Sequence, residues 1–205
     1  MDINNWKRKE HYEFFSKYDE PFWGVVSEID CTEAYEKSKE NVFSFFLYYL
    51  HKSILALNEI EEFKYRIRDG KIIVFDKINV ATTIGRPDET FGYSFIEYEK
   101  DFNKFLILAN NEILRINNST GLSLTENSKR LDVIHYSSLP WTKFTGLSHA
   151  RDFKNLDSIP KVVFGKFMIV NGRKIMNVSL NAHHGLADGI HAAKFFELFQ
   201  KLMNE

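Results

Sequence analysis

Two short turn sequences, Asp69-Gly70 and Asn171-Gly172, most restrict the folds that this chain can adopt. Each stands between runs of strand-like sequence, and an Asx-Gly pair in that setting favours a tight β-hairpin. A hairpin makes its two strands antiparallel neighbours. The sequence therefore predicts antiparallel sheet in two separate regions of the chain.

Helical segments are interspersed with these hairpins. Apolar residues recur at helical spacing over residues 5–18, over 32–60 with a possible break near Asn41, over 100–118 and over 190–203. Further strands are expected at Phe22 to Ile29, on both sides of a loop within 81–100, and before Pro140. The fold class predicted from this order is α/β, a two-layer sandwich of a mixed, largely antiparallel sheet flanked by helices.

Length and composition are those of a globular protein. The chain has 205 residues, of which 44% are hydrophobic and 19 are phenylalanine, so an aromatic-rich core can form. This length is typical of one domain, and nothing in the sequence resembles a linker. We therefore expect residues 1–205 to form a single domain.

Charge and cysteine content narrow the possible partners. A formal net charge of −1 argues against broad binding to nucleic acid or to an anionic membrane. No run of apolar residues is long enough to span a membrane, and the first residues lack the apolar core of a signal peptide. The single cysteine, Cys31, excludes an intrachain disulfide. The expectation is a cytoplasmic protein.

An unusual group of ionisable residues lies where the last strand turns into the last helix, in the sequence HHGLADGIH from His183 to His191. Side chains alternate along a strand, so His184 shares a face with the apolar Val178, Leu180 and Ala182. His183 shares the other face with polar residues. The two adjacent histidines are thus predicted to occupy different environments, with His184 facing a core or a cleft.

Three interpretations of this segment are open from the residues alone. His184 could be a packed core histidine and Asp188 a helix N-cap. Together with His183 and His191 they could bind a metal, although opposite strand faces and the absence of an HExxH pattern argue against it. Alternatively, His184 could act as a general base, since an imidazole titrates near neutrality and a strand end can reach into a cleft.

The motif HHGLADG also matches the HHxxxDG pattern of coenzyme A-dependent acyltransferases. Three further segments, NNWKRKEHYEFF, DETFGYSF and HYSSLPWTKF, are similar in order and spacing to segments of chloramphenicol acetyltransferases. The chain therefore resembles the chloramphenicol acetyltransferase family from residue 2 to its end.

This resemblance implies an acetyl-CoA-dependent O-acetyltransferase of the chloramphenicol acetyltransferase fold, with no metal. It also implies a homotrimer whose active sites lie between subunits. Chloramphenicol is the first acceptor that it suggests. One alternative is an acetyltransferase of the same fold that acts on another small hydroxylated acceptor. The other is a catalytically idle trimeric binding protein.

The resemblance also assigns catalytic roles. His184 corresponds to the catalytic histidine, and Ser137 to the serine that hydrogen-bonds the oxyanion. Asp188 corresponds to an aspartate that forms a salt bridge with an arginine near the N-terminus, here Arg8. Without the resemblance, Arg8 would be expected to be solvated and Ser137 to belong to a turn.

Six further residues are predicted to bind substrates by the same resemblance. Phe91, Tyr93, Phe14 and Phe15 are expected to contact the acceptor. Trp141 and Phe167 are expected to line the tunnel for the pantetheine arm of CoA, although Trp141 would otherwise be read as a core residue.

The chain departs from the family pattern where the acceptor would bind. Val163 stands where a threonine is expected, and Tyr93 is bulkier than the small residue expected there. The segment YDEPFW, residues 18–23, also differs. The transferase class is therefore predicted more firmly than the acceptor, and His191 is left without a role.

Overall fold

The computed structural model describes residues 3–154 and 157–205 of the chain. Over these residues it contains eight strands: β1 (Phe22–Asp30), β2 (Tyr65–Arg68), β3 (Lys71–Val74), β4 (Asn79–Gly85), β5 (Phe91–Ile96), β6 (Val133–Leu139), β7 (Lys161–Val170) and β8 (Arg173–His183). It also contains five α-helices: α1 (Lys9–Phe15), α2 (Thr32–Glu40), α3 (Phe45–Asn58), α4 (Phe102–Asn117) and α5 (Gly189–Met203). Short 3₁₀ turns lie at Ile3–Asn5, Glu61–Lys64 and Glu126–Lys129.

Six of the strands form one sheet in the order β1-β8-β7-β6-β4-β5. Strand β8 pairs antiparallel with β1 and β7, and β4 pairs antiparallel with β5. Strand β6 is parallel to both of its neighbours, β4 and β7. The sheet is therefore mixed, as the order of elements predicted, and the α/β class is confirmed.

Both predicted hairpins are confirmed. Asp69 and Gly70 have φ angles of 52° and 69°, and Asn171 and Gly172 have φ angles of 50° and 79°. Positive φ at both central positions is typical of the type I′ turn, whose twist matches that of the flanking strands. The first hairpin, β2–β3, forms a separate two-stranded sheet, which the sequence did not predict.

Two predicted helices have different bounds in the structure. The region 32–60 is divided into α2 and α3, because Val42 has a φ of 55° and Ser44 starts a new helix by accepting a hydrogen bond from the N–H of Leu47 at 3.4 Å. The helix expected over 5–18 covers only Lys9–Phe15. Before it, Trp6 packs edge-on against Tyr65 of β2, with ring centroids 5.4 Å apart.

One face of the sheet forms the core with the helices. Val178, Leu180 and Ala182 of β8 are buried in the same cluster as Phe195 and Phe199 of α5. The alternation predicted along the last strand is therefore correct, because the even-numbered residues face the core.

The opposite face of the sheet carries polar side chains, and the segment after β6 covers part of it. The Asn177 side-chain amide donates to the carbonyl of Phe144 at 2.8 Å, and His149 Nε2 lies 3.2 Å from Asn181 Oδ1. Asn177 is buried, so its polar atoms need such partners. This covered polar face contributes to the site described below.

The guanidinium of Arg66 is fully buried and joins β2 to the main sheet. It donates to the carbonyls of Leu131 at 2.7 Å and Phe63 at 2.8 Å, and also to that of Val133. Burial lowers the pKa of Arg66 to about 9, while the charges of Asp157 and Asp132 act in the opposite direction. The side chain stays charged at neutral pH and satisfies carbonyls on both sides of the junction.

No helix within residues 3–154 and 157–205 has the length and apolar character needed to cross a membrane.

Replacing Arg66 by methionine should destabilise the fold. We expect Arg66→Met to lower the free energy of unfolding by about 3 kcal/mol, because several buried carbonyls lose their donor at once. Urea unfolding followed by circular dichroism measures this change. The matched control is Arg68→Met on the same strand, whose side chain is 66% exposed and whose loss should have little effect. Equal stability of the two variants would contradict this structural role.

Candidate active site

The turn that follows β8 places its two adjacent histidines in different surroundings. His183 is buried, its ring meets Phe22 at a centroid distance of 5.9 Å, and its Nδ1 accepts a hydrogen bond from the N–H of Gly185 at 3.1 Å. Burial lowers the pKa of His183 to about 4, and the nearby charge of Arg151 adds to this. His183 is therefore neutral at pH 7 and shapes the turn.

His184 packs between the first helix and the first strand. Its ring stacks on Phe15 of α1 with centroids 4.1 Å apart and planes 2° from parallel, and Trp23 of β1 lies 5.4 Å away. Its backbone N–H donates to the carbonyl of Pro21 at 2.8 Å. The side-chain Nδ1 is buried, and no residue of the described chain hydrogen-bonds to it. The other ring nitrogen, Nε2, is therefore the one that can meet a substrate.

Arg8 holds this turn from the N-terminal end of the chain. Its Nη1 forms an ion pair with Asp188 Oδ2 at 2.6 Å, and its Nη2 donates to the backbone carbonyl of His184 at 3.0 Å. The Arg8 side chain is only 11% exposed, so it is not the solvated residue that the sequence alone would suggest. One guanidinium thus connects α1, the histidine turn and the start of α5.

The electrostatics of Asp188 follow from this pairing. Burial raises the pKa of the Asp188 carboxyl, but the hydrogen bond and charge of Arg8, together with His191, outweigh burial. The pKa consequently lies below the ordinary value of 3.8. Asp188 is ionised at neutral pH and occupies the N-cap position of α5.

His191 has a structural role that the sequence analysis missed, because it contacts residues at the start of α5 and beyond it. Its Nδ1 lies 3.0 Å from the backbone nitrogen of Asp188 and 2.9 Å from Asp188 Oδ1, and its Nε2 lies 3.3 Å from Glu62 Oε1. The imidazole therefore contacts two carboxylates as well as the start of α5. The spacing of three residues from the N-cap is that of a capping box, and this signal could have identified the role.

Gly185 allows the turn to lie against α1. A Cβ atom at this position would lie 3.0 Å from the Cα of Tyr12 and 3.1 Å from Cε1 of His183. Any larger residue would therefore push α1 away from the turn, and Phe15 with it.

Ser137 on β6 lies where two cavities meet, since its side chain lines both. Its Oγ is 3.5 Å from Thr83 Oγ1 on the neighbouring strand. The next residue, Ser138, hydrogen-bonds through its hydroxyl to Tyr49 of α3 at 2.9 Å. Ser137 belongs to a strand and not to a turn, which excludes the turn interpretation.

The larger cavity has a volume of about 620 Å³ and is mostly apolar. Its lining includes Phe46, Tyr49, Phe91, Ile113 and Trp141. Trp141 is 78% exposed, so the alternative that it is a core residue is wrong.

The smaller cavity has a volume of about 380 Å³ and a more polar lining. Tyr93, His135, His149 and Lys161 line it, and so does the buried Val163. Val163 pairs directly with Ser137 across the β6–β7 ladder. The position where a threonine was expected therefore lies beside Ser137.

The residues predicted to bind substrates are divided among several places. Phe91 lines the larger cavity and Tyr93 the smaller one. Phe15 stacks on His184, and Phe14 packs against Phe15 with centroids 5.1 Å apart. Phe167 packs edge-on against an aromatic ring of α2, and it is not among the residues that line either cavity.

His184 and Ser137 do not meet within one chain. Ser137 is aligned with Val163 and, through it, with Ser179 on β8, two strands away. His184 follows Ser179 at the far end of that strand, which places the two side chains roughly 15 Å or more apart. The lining of both cavities contains Ser137 but not His184.

Cys31 lacks the character of a nucleophile. It is buried, and burial raises the pKa of its thiol to about 12, with the charge of Asp30 adding to this. The reactive thiolate form is therefore negligible at neutral pH. Among residues 3–154 and 157–205, no group of three or more His, Cys, Asp or Glu side chains is arranged to hold a metal ion.

Comparison with known proteins gives consistent matches over the full length. A family model described as chloramphenicol acetyltransferase matches residues 1–200. Chloramphenicol acetyltransferase 3 of Escherichia coli is 25% identical over 206 residues, covering 100% of this chain and 96% of the relative. Chloramphenicol acetyltransferase 2 of Haemophilus influenzae is 26% identical over 207 residues, covering 98% and 95%. A solved structure of a chloramphenicol acetyltransferase is similar with a TM-score of 0.93 at 31% identity, covering 99% of this chain and 98% of that one.

Replacing Asp188 with asparagine tests the ion pair. We expect Asp188→Asn to lower the free energy of unfolding by about 1–3 kcal/mol at pH 7, because the guanidinium of Arg8 loses its charged partner. Since the pKa of Asp188 is lowered by folding, the stability that it contributes is present above the unfolded value of 3.8 and is lost as pH falls through the folded value. Urea unfolding of wild type and variant at pH 7 and pH 3 should therefore show a difference that shrinks in acid.

The matched control for this variant is Glu97→Gln. Glu97 pairs with Lys77 at 2.9 Å on the surface, where both side chains are more than half exposed. Such a pair contributes little, so no measurable change is expected. If Asp188→Asn were as stable as this control, the ion pair would not hold the turn.

Proposed function

Because the chain belongs to the chloramphenicol acetyltransferase family, we propose that it transfers the acetyl group of acetyl-CoA to a hydroxyl of a small acceptor, with His184 as the general base. The observation that carries this proposal is the way His184 is held. Its ring lies between Phe15 and Trp23, and Arg8 binds its backbone carbonyl. This arrangement fixes the direction of Nε2, as a general base requires.

The proposed reaction is a direct transfer. Nε2 of neutral His184 takes the proton of the acceptor hydroxyl while the oxygen attacks the thioester carbonyl of acetyl-CoA. The tetrahedral intermediate then collapses, its carbon–sulfur bond breaks, and the CoA thiolate takes the proton from the imidazolium. No acyl-enzyme forms, which agrees with the buried thiol of Cys31.

Ser137 is proposed to donate a hydrogen bond to the oxyanion. A well-placed donor of this kind contributes about 3–4 kcal/mol to the stability of the transition state. Its position between the two cavities supports this role, since the carbonyl must meet both substrates. We assign the pantetheine arm of CoA to the larger, apolar cavity that Trp141 lines, while a role of Phe167 in the same tunnel remains a prediction.

The distance between His184 and Ser137 supports an active site made by two subunits. Two groups roughly 15 Å apart cannot touch the same tetrahedral carbon. Two exposed aromatic side chains, Phe14 at 56% and Tyr18 at 48% exposure, pack against Phe15, which stacks on His184. Such a patch is typical of an interface. We propose a homotrimer in which His184 of one subunit faces Ser137 of its neighbour.

Chloramphenicol is the acceptor that the names of the relatives suggest, and its acetylation would inactivate the antibiotic. The polar lining of the smaller cavity favours a second candidate, another hydroxylated small molecule. Release of CoA, followed with a thiol reagent, distinguishes these from an idle binding protein. If none of a broad panel of acceptors caused release of CoA, only the idle binding protein would remain as an explanation.

The general base is tested by His184→Ala. We expect this variant to lower turnover by about 10² to 10⁴-fold, because no other group takes the acceptor proton. CoA binding, measured by calorimetry, should be kept. The control is His11→Ala, which removes an exposed histidine of α1, the helix that packs against His184. Turnover near that of the wild type in His184→Ala would contradict the assignment.

The shared active site is tested by mixing two defective variants. His184→Ala and Ser137→Ala should each be nearly inactive alone. Denatured together in equal amounts and refolded, they form some interfaces in which an intact His184 meets an intact Ser137. Random assembly of symmetric oligomers then restores about a quarter of the wild-type activity. If both residues served one site within a single chain, mixing would restore nothing.

A further inference from the structure

The smaller cavity differs from the larger one in its ionisable lining. Arg130, His135, His149 and Lys161 all line it, and no aspartate or glutamate within residues 3–154 and 157–205 does so. Because all of these groups are basic, every ionisable side chain that a bound molecule would meet is a potential hydrogen-bond donor. Of the described residues, those that line the larger cavity include Glu89 and no basic side chain.

The carboxylates that pair with the two permanent cations lie outside the cavity lining. Lys161 binds Asp157, and Arg130 binds Asp132 through Nε at 2.9 Å and Nη2 at 2.5 Å. Neither aspartate is among the lining residues. Lys161 Nζ also donates to the carbonyl of Ile159 at 3.3 Å, so two of its three N–H groups are used within the chain and one is left for a ligand.

The charge of Lys161 acts on His135, which is paired with it on the neighbouring strand. Burial and the charge of Lys161 lower the pKa of His135 to about 4, and the charge of Asp157 offsets only part of this. The pKa of His149 is lowered as well, mainly by burial, while the hydrogen bond that its Nε2 donates to Asn181 Oδ1 acts in the opposite direction. Burial disfavours any charge beside these rings, but the charge of Lys161 would attract an anionic group placed there.

An apolar acceptor would be poorly accommodated here. It would take the polar groups that face the cavity out of water without offering them hydrogen bonds, which costs free energy. An anionic oxygen would replace those bonds with charge-assisted ones.

In the proposed transfer the larger cavity takes CoA, so the smaller one is left for the acceptor. We propose that this acceptor is a small hydroxylated molecule that carries a carboxylate or phosphate group bound by Lys161. This inference rests on the proposed acetyl transfer and deepens it. The reacting hydroxyl lies at Ser137, where the two cavities meet, and the anionic group lies at the end lined by Lys161.

The sheet sets the distance between these two ends. Val163 pairs with Ser137, and Lys161 lies two residues before Val163, on the same face of β7. Two residues of a strand span roughly 7 Å. A suitable acceptor therefore has its hydroxyl and its anionic group about this far apart, as 4-(hydroxymethyl)benzoate does.

The experiment compares two alcohols of the same shape, 4-(hydroxymethyl)benzoate and the neutral 4-methylbenzyl alcohol, with CoA release as the readout. We expect kcat/KM to be at least about tenfold higher for the carboxylate, as for a hydrogen bond to a charged group. Lys161→Met should abolish this preference. Because that variant leaves Asp157 without its partner, Lys161→Met combined with Asp157→Asn serves as the second variant, in which neither charge of the pair is left alone, and it should lose the preference as well. Lys166→Met, on an exposed residue of β7, is the matched control and should keep the preference.

Failure of this inference can be told apart from failure of the proposed function. Equal kcat/KM for both alcohols would overturn the anionic acceptor while leaving acetyl transfer in place. If neither alcohol nor chloramphenicol released CoA, the proposed function would fail, and calorimetric binding of 4-(hydroxymethyl)benzoate would decide the inference. Binding that is lost in Lys161→Met supports the anion site, and no binding to the wild type overturns it.

Discussion

The proposed site depends on the ion pair and hydrogen bond that Arg8 makes with the turn after β8. One guanidinium binds the carboxylate of Asp188 and the backbone carbonyl of His184, so it joins residues 180 positions apart in the chain. The same contact brings α1 against the turn, where Phe15 stacks on the imidazole. Because the Arg8 side chain is only 11% exposed, removing its partner would leave a poorly solvated charge, which destabilises the fold. The direction of His184 is therefore set by three elements and not by the turn alone.

The sheet keeps the two proposed catalytic side chains, His184 and Ser137, apart within one chain. His184 lies at the end of β8 on the core-facing side, whereas Ser137 lies on β6 between an apolar cavity and a basic one. The contrast between the cavities fits two substrates of different character, a flexible thioester arm and a polar acceptor. Since His184 lines neither cavity, the proposed active site needs residues from two chains. Association of identical chains would then be a requirement for catalysis.

Much of the fold could be read from local patterns. The two Asx-Gly turns predicted hairpins that depend only on φ angles within four residues, and the strand alternation placed His183 and His184 on opposite sides. Long-range features were not predictable in this way. The residues around Arg66 did not show that it would be buried among the carbonyls of distant segments. They also did not show that the β2–β3 hairpin would form a sheet separate from the six-stranded one. His191 is intermediate, because its capping spacing is local but its partner Glu62 is not.

The sequence by itself determined the α/β class, the hairpins and the membership in a family of acetyltransferases, through turn chemistry, periodicity and a short motif. Only the tertiary structure decided that Arg8 is buried on the turn, that Trp141 is exposed, and that Lys161 and His135 face a cavity beside Ser137. The physical reason is that burial and electrostatic field are properties of what surrounds a side chain. Those surroundings come from strands and loops far away in the chain, so they exist only once the sheet has assembled.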